Sequence, residues 1–272
     1  MTALLLLGGC AFGVGAQTLA LDPEARCEVT EDSVSCEHAT IHFRAGLASR
    51  EVHVQTPAGE APTEGWPATI LFQGSFDTRG VWEGHAGDLF GGLHQARVTA
   101  ALLAAGFAVI APEARYEGAS YWDTNIAPWS FAWTASPDHR LMVGILDALD
   151  AGELGPLDPD RLFAAGISSG GYMTSRMAVA YPGRFRALAI QSASYATCAG
   201  PLCVVPALPT DHPPVLFLHG GADSIVPIGT MEDYAGALEE DGITTERVVD
   251  DAEGHAWLES APEAVVGWFQ AG

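Results

Sequence analysis

Lysine is absent from this 272-residue chain, and all twelve of its basic residues are arginine. Thirty-four acidic residues stand against them, for a formal net charge of −22. This deficit of positive charge excludes recognition of nucleic acid or anionic lipid through a basic patch, because like charges repel. Charge is also sparse, at 17% of residues, while 48% are hydrophobic. That apolar share can build a core, so an acidic disordered chain is excluded. No run of about twenty apolar residues occurs beyond the N-terminus, so no internal membrane span is expected. No repeat or low-complexity linker divides the chain, and nothing in it reports an oligomeric state.

Residues 1–16, MTALLLLGGCAFGVGA, are small or apolar and carry no charge. They resemble the hydrophobic region and cleavage zone of a secretory signal. One cut would follow Ala16. The other would precede Cys10, because Leu7-Gly8-Gly9-Cys10 resembles a bacterial lipobox in which the cysteine becomes a lipid anchor. The missing basic residue at the start departs from both patterns. A buried N-terminal helix is the alternative, and Gly8, Gly9, Gly13 and Gly15 disfavour it. The expectation is a secreted, periplasmic or cell-surface protein whose catalytic domain is 17–272.

Setting Cys10 aside leaves four cysteines, with eight residues between Cys27 and Cys36 and four between Cys198 and Cys203. Two local disulfides are the simplest of the three possible connectivities. Each would contribute roughly 2–3 kcal/mol by loop entropy. Four free thiols in a cytosolic protein are the alternative.

Alternating, β-branched stretches at 39–44 and 50–56 flank Gly46 and predict an antiparallel hairpin. Continuous apolar runs at 68–73, 107–111, 162–167, 187–190 and 215–218 suit strands buried on both faces of a parallel sheet. Helical patterns fall between them at 95–105, 137–151, 169–181, 229–240 and 261–270. Ser136-Pro137 supplies a good helix start, and Gly106 and Gly152 supply stops. The alternation predicts one doubly wound α/β domain with a mostly parallel sheet. Two stretches escape it: the glycine-rich 75–94 and the aromatic-rich 113–135. Long irregular segments in compact domains are usually functional.

Gly166-Ile167-Ser168-Ser169-Gly170 fits G-x-S-x-G between a predicted strand and a predicted helix. A strand that turns sharply into a helix leaves room only for small neighbours, and the serine then projects above the sheet edge. The helix N-terminus sits under the developing negative charge. The acid and the histidine should follow in that order. Asp223 lies just past the strand at 215–218, on the carboxyl edge. His255 lies between the strand predicted at 245–250 and the last helix. Ser168 is then the nucleophile, His255 the base, and Asp223 the group that orients the imidazole. Asp250 and Asp251 are alternative acids.

Oxyanion donors are expected at the backbone N–H of Ser169 and, past the strand at 68–73, of Ser75; Phe76 is the fallback. His85, His94, His139 and His219 read as structural. Among these four no pair has helical i, i+4 spacing, so no metal site and no cofactor are expected.

These motifs resemble the α/β-hydrolase superfamily over almost the whole mature chain. LFQGSF at 71–76, SYWDTN at 120–125 and GISSGGYMTSRMAVAYP at 166–182 resemble secreted depolymerases of medium-chain-length polyhydroxyalkanoates. The resemblance implies extracellular hydrolysis of 3-hydroxyalkanoate esters by Ser168, Asp223 and His255 through an acyl-enzyme. Tyr116, Tyr121, Trp122, Trp129 and Trp133 are then candidates for contact with a neutral, hydrophobic polyester, although core or lid packing would also account for them. A general carboxylesterase, a feruloyl or acetyl esterase, or a peptidase of the same fold is a second reading. A lipid-anchored binding protein on an inactive hydrolase scaffold is a third, and the intact triad opposes it.

Overall fold

The structure is a computed structural model that describes residues 26–45, 48–76, 80–114, 121–197 and 204–272. The expected signal, Cys10, Tyr116, Cys198 and Cys203 lie outside the described residues. In chain order come β1 (Cys27–Val29), β2 (Ser33–Cys36), β3 (Ala39–Ala45), β4 (Ala48–Gln55), β5 (Trp66–Phe72) and β6 (Glu83–His85). Next are α1 (Gly92–Ala104), β7 (Ala108–Pro112), α2 (Pro137–Asp150), β8 (Leu157–Ile167), α3 (Ser169–Ala180) and β9 (Leu188–Gln191). The chain ends with β10 (Val215–Gly220), α4 (Ile228–Glu240), β11 (Thr245–Asp250) and α5 (Ala261–Ala271).

Eight strands form the main sheet in the order β11-β10-β9-β8-β5-β7-β4-β3. β5, β7, β8, β9, β10 and β11 run parallel, while β3 and β4 form the antiparallel hairpin at one edge. β5, β7, β9, β10 and the C-terminal half of β8 lie between two helical layers, which is why they read as continuous apolar runs, whereas the edge strand β11 is largely exposed. Successive residues of β5 divide between the faces: Ile70 and Phe72 join Met142, Met177 and Tyr234 from α2, α3 and α4. Leu71 faces the other way and joins Leu102 of α1 and Phe269 of α5. This is the doubly wound, mostly parallel α/β architecture expected from the alternation of elements.

A second sheet of three short antiparallel strands, β1-β2-β6, packs on α1. The Cys27–Cys36 disulfide joins β1 to β2 where the two residues face each other in register. At α2, Ser136 Oγ accepts the His139 N–H at 2.9 Å and Pro137 occupies the first turn, as that dipeptide predicts.

Candidate active site

Ser168 occupies the turn between β8 and α3 with φ 54° and ψ −122°, a conformation that L-residues rarely adopt. The turn is held from both sides. Ser168 N–H donates to Gln191 O of β9 at 3.0 Å, and Ser168 O accepts the Tyr172 N–H at 2.9 Å. The flanking glycines have no alternative. A Cβ on Gly166 would meet Gly170 O at 2.5 Å, and one on Gly170 would meet Phe72 O at 2.2 Å.

Asp223 follows β10, and its side chain is fully buried. Its Oδ1 accepts the N–H groups of Ile225 at 2.9 Å and Val226 at 2.8 Å, and its Oδ2 accepts His255 Nδ1–H at 2.7 Å. Burial alone would raise this carboxyl. The hydrogen bonds from His255, Val226 and Ile225 outweigh it and hold the group below the ordinary carboxylate range. The loops that carry the acid and the histidine are stitched together: Gly221 N–H donates to Asp250 O at 2.7 Å and Ala222 N–H to Glu253 O at 2.9 Å. Asp250 and Asp251, the alternative acids, are exposed, and Asp223 makes the contact to His255. His219 supports the same loop from below through Nε2 and Val226 O at 2.9 Å. Burial keeps its pKa below the usual histidine value.

Ser168 and His255 open into one cavity of about 200 Å³, lined also by Gly74, Ser75, Phe76, Phe90, Gln95, Ile167 and Ile225. Phe76 and Phe90 stand in the left-handed region, at φ 67° and 57°. The Phe90 ring meets His255 edge-on at 5.6 Å, and Phe90 O accepts the Trp257 N–H at 2.9 Å. A hydroxyl above a helix N-terminus, an imidazole held by a buried carboxylate and an apolar pocket are the parts of an acyl-transfer site.

No protein-family model matches the chain. A Pseudomonas fluorescens protein named poly(3-hydroxyoctanoate) depolymerase is 45% identical over 240 residues, 88% of this chain and 86% of that protein. This chain belongs to the poly(3-hydroxyoctanoate) depolymerase family. It is an ester hydrolase with the α/β-hydrolase fold. Solved structures agree on the fold. The dienelactone hydrolase-like promiscuous phosphotriesterase P91 from metagenomic libraries superposes with a TM-score of 0.62 at 15% identity, covering 88% of this chain and 98% of that one. Esterase PE8 superposes at 0.56 and 15% identity, covering 80% and 96%.

For the aromatic stretch of this depolymerase-family chain the sequence leaves polymer contact and core packing both open, and the structure seats two of the tryptophans in the core. Trp122 is fully buried and Trp133 is 7% exposed, so both are core residues rather than surface contacts. The indole of Trp133 lies under the Arg176 guanidinium at 5.6 Å. Arg176 is itself buried, donating to Thr124 Oγ1, Ser130 O and Tyr195 Oη at 3.0–3.3 Å. Trp129 is half-buried and Tyr121 exposed, and neither lines the described wall of the Ser168 cavity. The side chains that do line it include Phe76, Phe90, Gln95 and Ile225, none of which the sequence marks as a substrate contact. For Phe76 and Phe90 the sequence signal is the irregular, glycine-rich 75–94, whereas Ile225 lies two residues past Asp223.

Glu51, His53 and Glu113 bring three possible metal-ligand atoms within 4.8 Å of one another. Helical spacing could not reveal them, because Glu51 and His53 share a strand face at i, i+2. His53 Nε2 and Glu113 Oε1 lie 3.2 Å apart, and His53 Nδ1 meets Thr40 Oγ1 at 2.9 Å. These contacts satisfy the imidazole without an ion.

Proposed function

We propose that the chain is an extracellular serine esterase that hydrolyses polyester of medium-chain-length 3-hydroxyalkanoate units. The observation that carries this reading is the 2.7 Å contact of His255 with buried Asp223 beside a cavity shared with Ser168. His255 Nε2 takes the Ser168 proton while Oγ attacks the ester carbonyl carbon. The N–H groups of Ser75 and Ser169 hold the resulting oxyanion, each typically worth ~3–4 kcal/mol. As the C–O bond breaks, His255 returns the proton to the departing alkoxide, which becomes the hydroxyl end of the shortened chain. Water then attacks the acyl-enzyme, His255 takes its proton, and Ser168 leaves with that proton as the carboxylic acid is released.

The apolar wall of Phe76, Phe90, Ile167 and Ile225 suits an alkyl-bearing acyl group. The named relative acts, by its name, on poly(3-hydroxyoctanoate). The acidic surface suits a neutral polymer and repels the carboxylate product. Export is supported by the Cys27–Cys36 bond, since disulfides persist in oxidising compartments. A cut after Ala16, or lipidation at Cys10, belongs to the same proposal.

The test pairs a poly(3-hydroxyoctanoate) film with soluble p-nitrophenyl alkanoates, for the wild type and Ser168→Ala. Clearing of the film by the wild type alone is the expected result. Turnover of the soluble esters without any loss of film would replace the polyester reading with a soluble carboxylesterase. Full turnover by Ser168→Ala would remove the nucleophile.

A further inference from the structure

The geometry points to Trp122 as a positioning residue that ties together the two segments forming the oxyanion site, an inference that rests on the oxyanion roles proposed above. These segments are far apart in sequence. One is the Gln73-Gly74-Ser75 stretch that follows β5, and the other is the start of α3 at Ser169. Trp122 reaches both. Its indole Nε1–H donates to Gln73 O at 3.0 Å, and its backbone N–H donates to Ser169 Oγ at 3.0 Å. One residue thus grips the carbonyl two positions before the first donor and the side chain of the residue that carries the second.

The surroundings leave Trp122 little freedom. It is fully buried, and its ring meets Phe72 edge-on at 5.2 Å. The Arg50 guanidinium lies 5.9 Å from the ring centroid. Its neighbour Asp123 donates its N–H to Asp138 Oδ2 at 2.6 Å, so the backbone on the C-terminal side is anchored to the start of α2. The two gripped segments also touch directly, since a Cβ on Gly170 would lie 2.3 Å from Gln73 O. Water does not reach the two Trp122 hydrogen bonds, and in a dry site such bonds resist competition and fix geometry. Oxyanion donors act only if preorganised at the place where charge develops, and small displacements are costly.

Two variants test this. Trp122→Phe keeps most of the ring and removes the Nε1–H. Ser169→Ala removes the acceptor of the Trp122 N–H and keeps the backbone N–H of residue 169. Each should lower kcat on p-nitrophenyl octanoate about tenfold with KM within about twofold. The inhibition constant of an alkylboronic acid, a tetrahedral mimic, should rise by the same factor. If melting temperature falls while kcat per folded enzyme and boronate affinity stay at wild-type values, Trp122 is only core and the inference is overturned. If Trp122→Phe does not fold, Ser169→Ala decides by the same readouts. Ser168→Ala run in parallel separates the two levels: retained turnover there sinks the proposed mechanism, whereas its loss beside an unaltered Trp122→Phe sinks only the positioning role.

Discussion

Arg50→Leu removes one half of an ion pair that water does not reach. Arg50 Nη1 lies 2.8 Å from Asp138 Oδ1, with the side chains 4% and 0% exposed. Without the guanidinium, the Asp138 carboxylate stays buried with the Asp123 N–H as its remaining close donor. Stranding a buried charge in this way costs about 3–5 kcal/mol. Glu113 O loses its bonds to Nε and Nη2 as well, which places the loss toward the upper end. For a domain of this size each kcal/mol shifts Tm by about 2–4 °C, so the fall should be roughly 6–20 °C. Urea denaturation should show a lower midpoint at an unchanged m-value. Arg50→Leu combined with Asp138→Asn should recover at least half of the loss, because the amide oxygen still accepts the Asp123 N–H and no charge is stranded. A single-variant loss under about 1 kcal/mol, or strict additivity in the double variant, would refute the reasoning.

Cys27→Ser should lower stability by roughly 2–3 kcal/mol, judged from the sequence separation of nine and read by urea denaturation; wild-type stability would remove the bond's role. His38, His94, His139, His212 and His219 are all held below the ordinary histidine value of 6.5, first of all by burial. The folded state therefore favours their neutral forms. Their contribution is complete above pH 6.5 and is lost as pH falls through the lowered values. In 0.5 M salt, which screens the acidic surface, unfolding free energy should drop between pH 7 and 5, and less steeply in His219→Asn; identical slopes would count against this. Phe90→Ala should reduce the kcat/KM preference for p-nitrophenyl octanoate over the acetate about tenfold, from lost apolar contact at the cavity wall. An unchanged ratio would place the acyl chain elsewhere.

The central parallel strands are legible because burial on both faces leaves an uninterrupted apolar run, and the exposed edge strand at 245–250 matches its expected bounds without that signal. β8 starts at Leu157, five residues before its apolar run, because Asp158, Pro159, Asp160 and Arg161 mask the extension. The small β1-β2-β6 sheet left almost no pattern. Its strands are three or four residues long, and β6 joins β2 from about fifty residues away. Ser168, Asp223 and His255 stand out as candidates in the sequence because each follows a strand in a fixed chain order, and the structure brings Asp223 against His255. The tryptophans could not be sorted in this way. A ring that rests on a polymer and a ring sealed under Arg176 or against Phe72 look alike in a sequence, and only the partner from another element distinguishes them.

The glycine-framed turn at Ser168 also decides where this enzyme can be re-engineered. Replacing Gly166 or Gly170 with even the smallest side chain drives a carbon into backbone atoms, so those sites offer a library nothing but unfolded clones. Trp122, Arg50 and Asp138 are closed for the same practical purpose, each tied to several others. The open ground is the rim. Phe76 is 67% exposed, Ile225 59% and Phe90 36%, and all three line the cavity from outside the sheet and its long helices. Directed evolution toward esters with other side chains should begin with saturation of those three positions, and hits should collect there rather than in the turn.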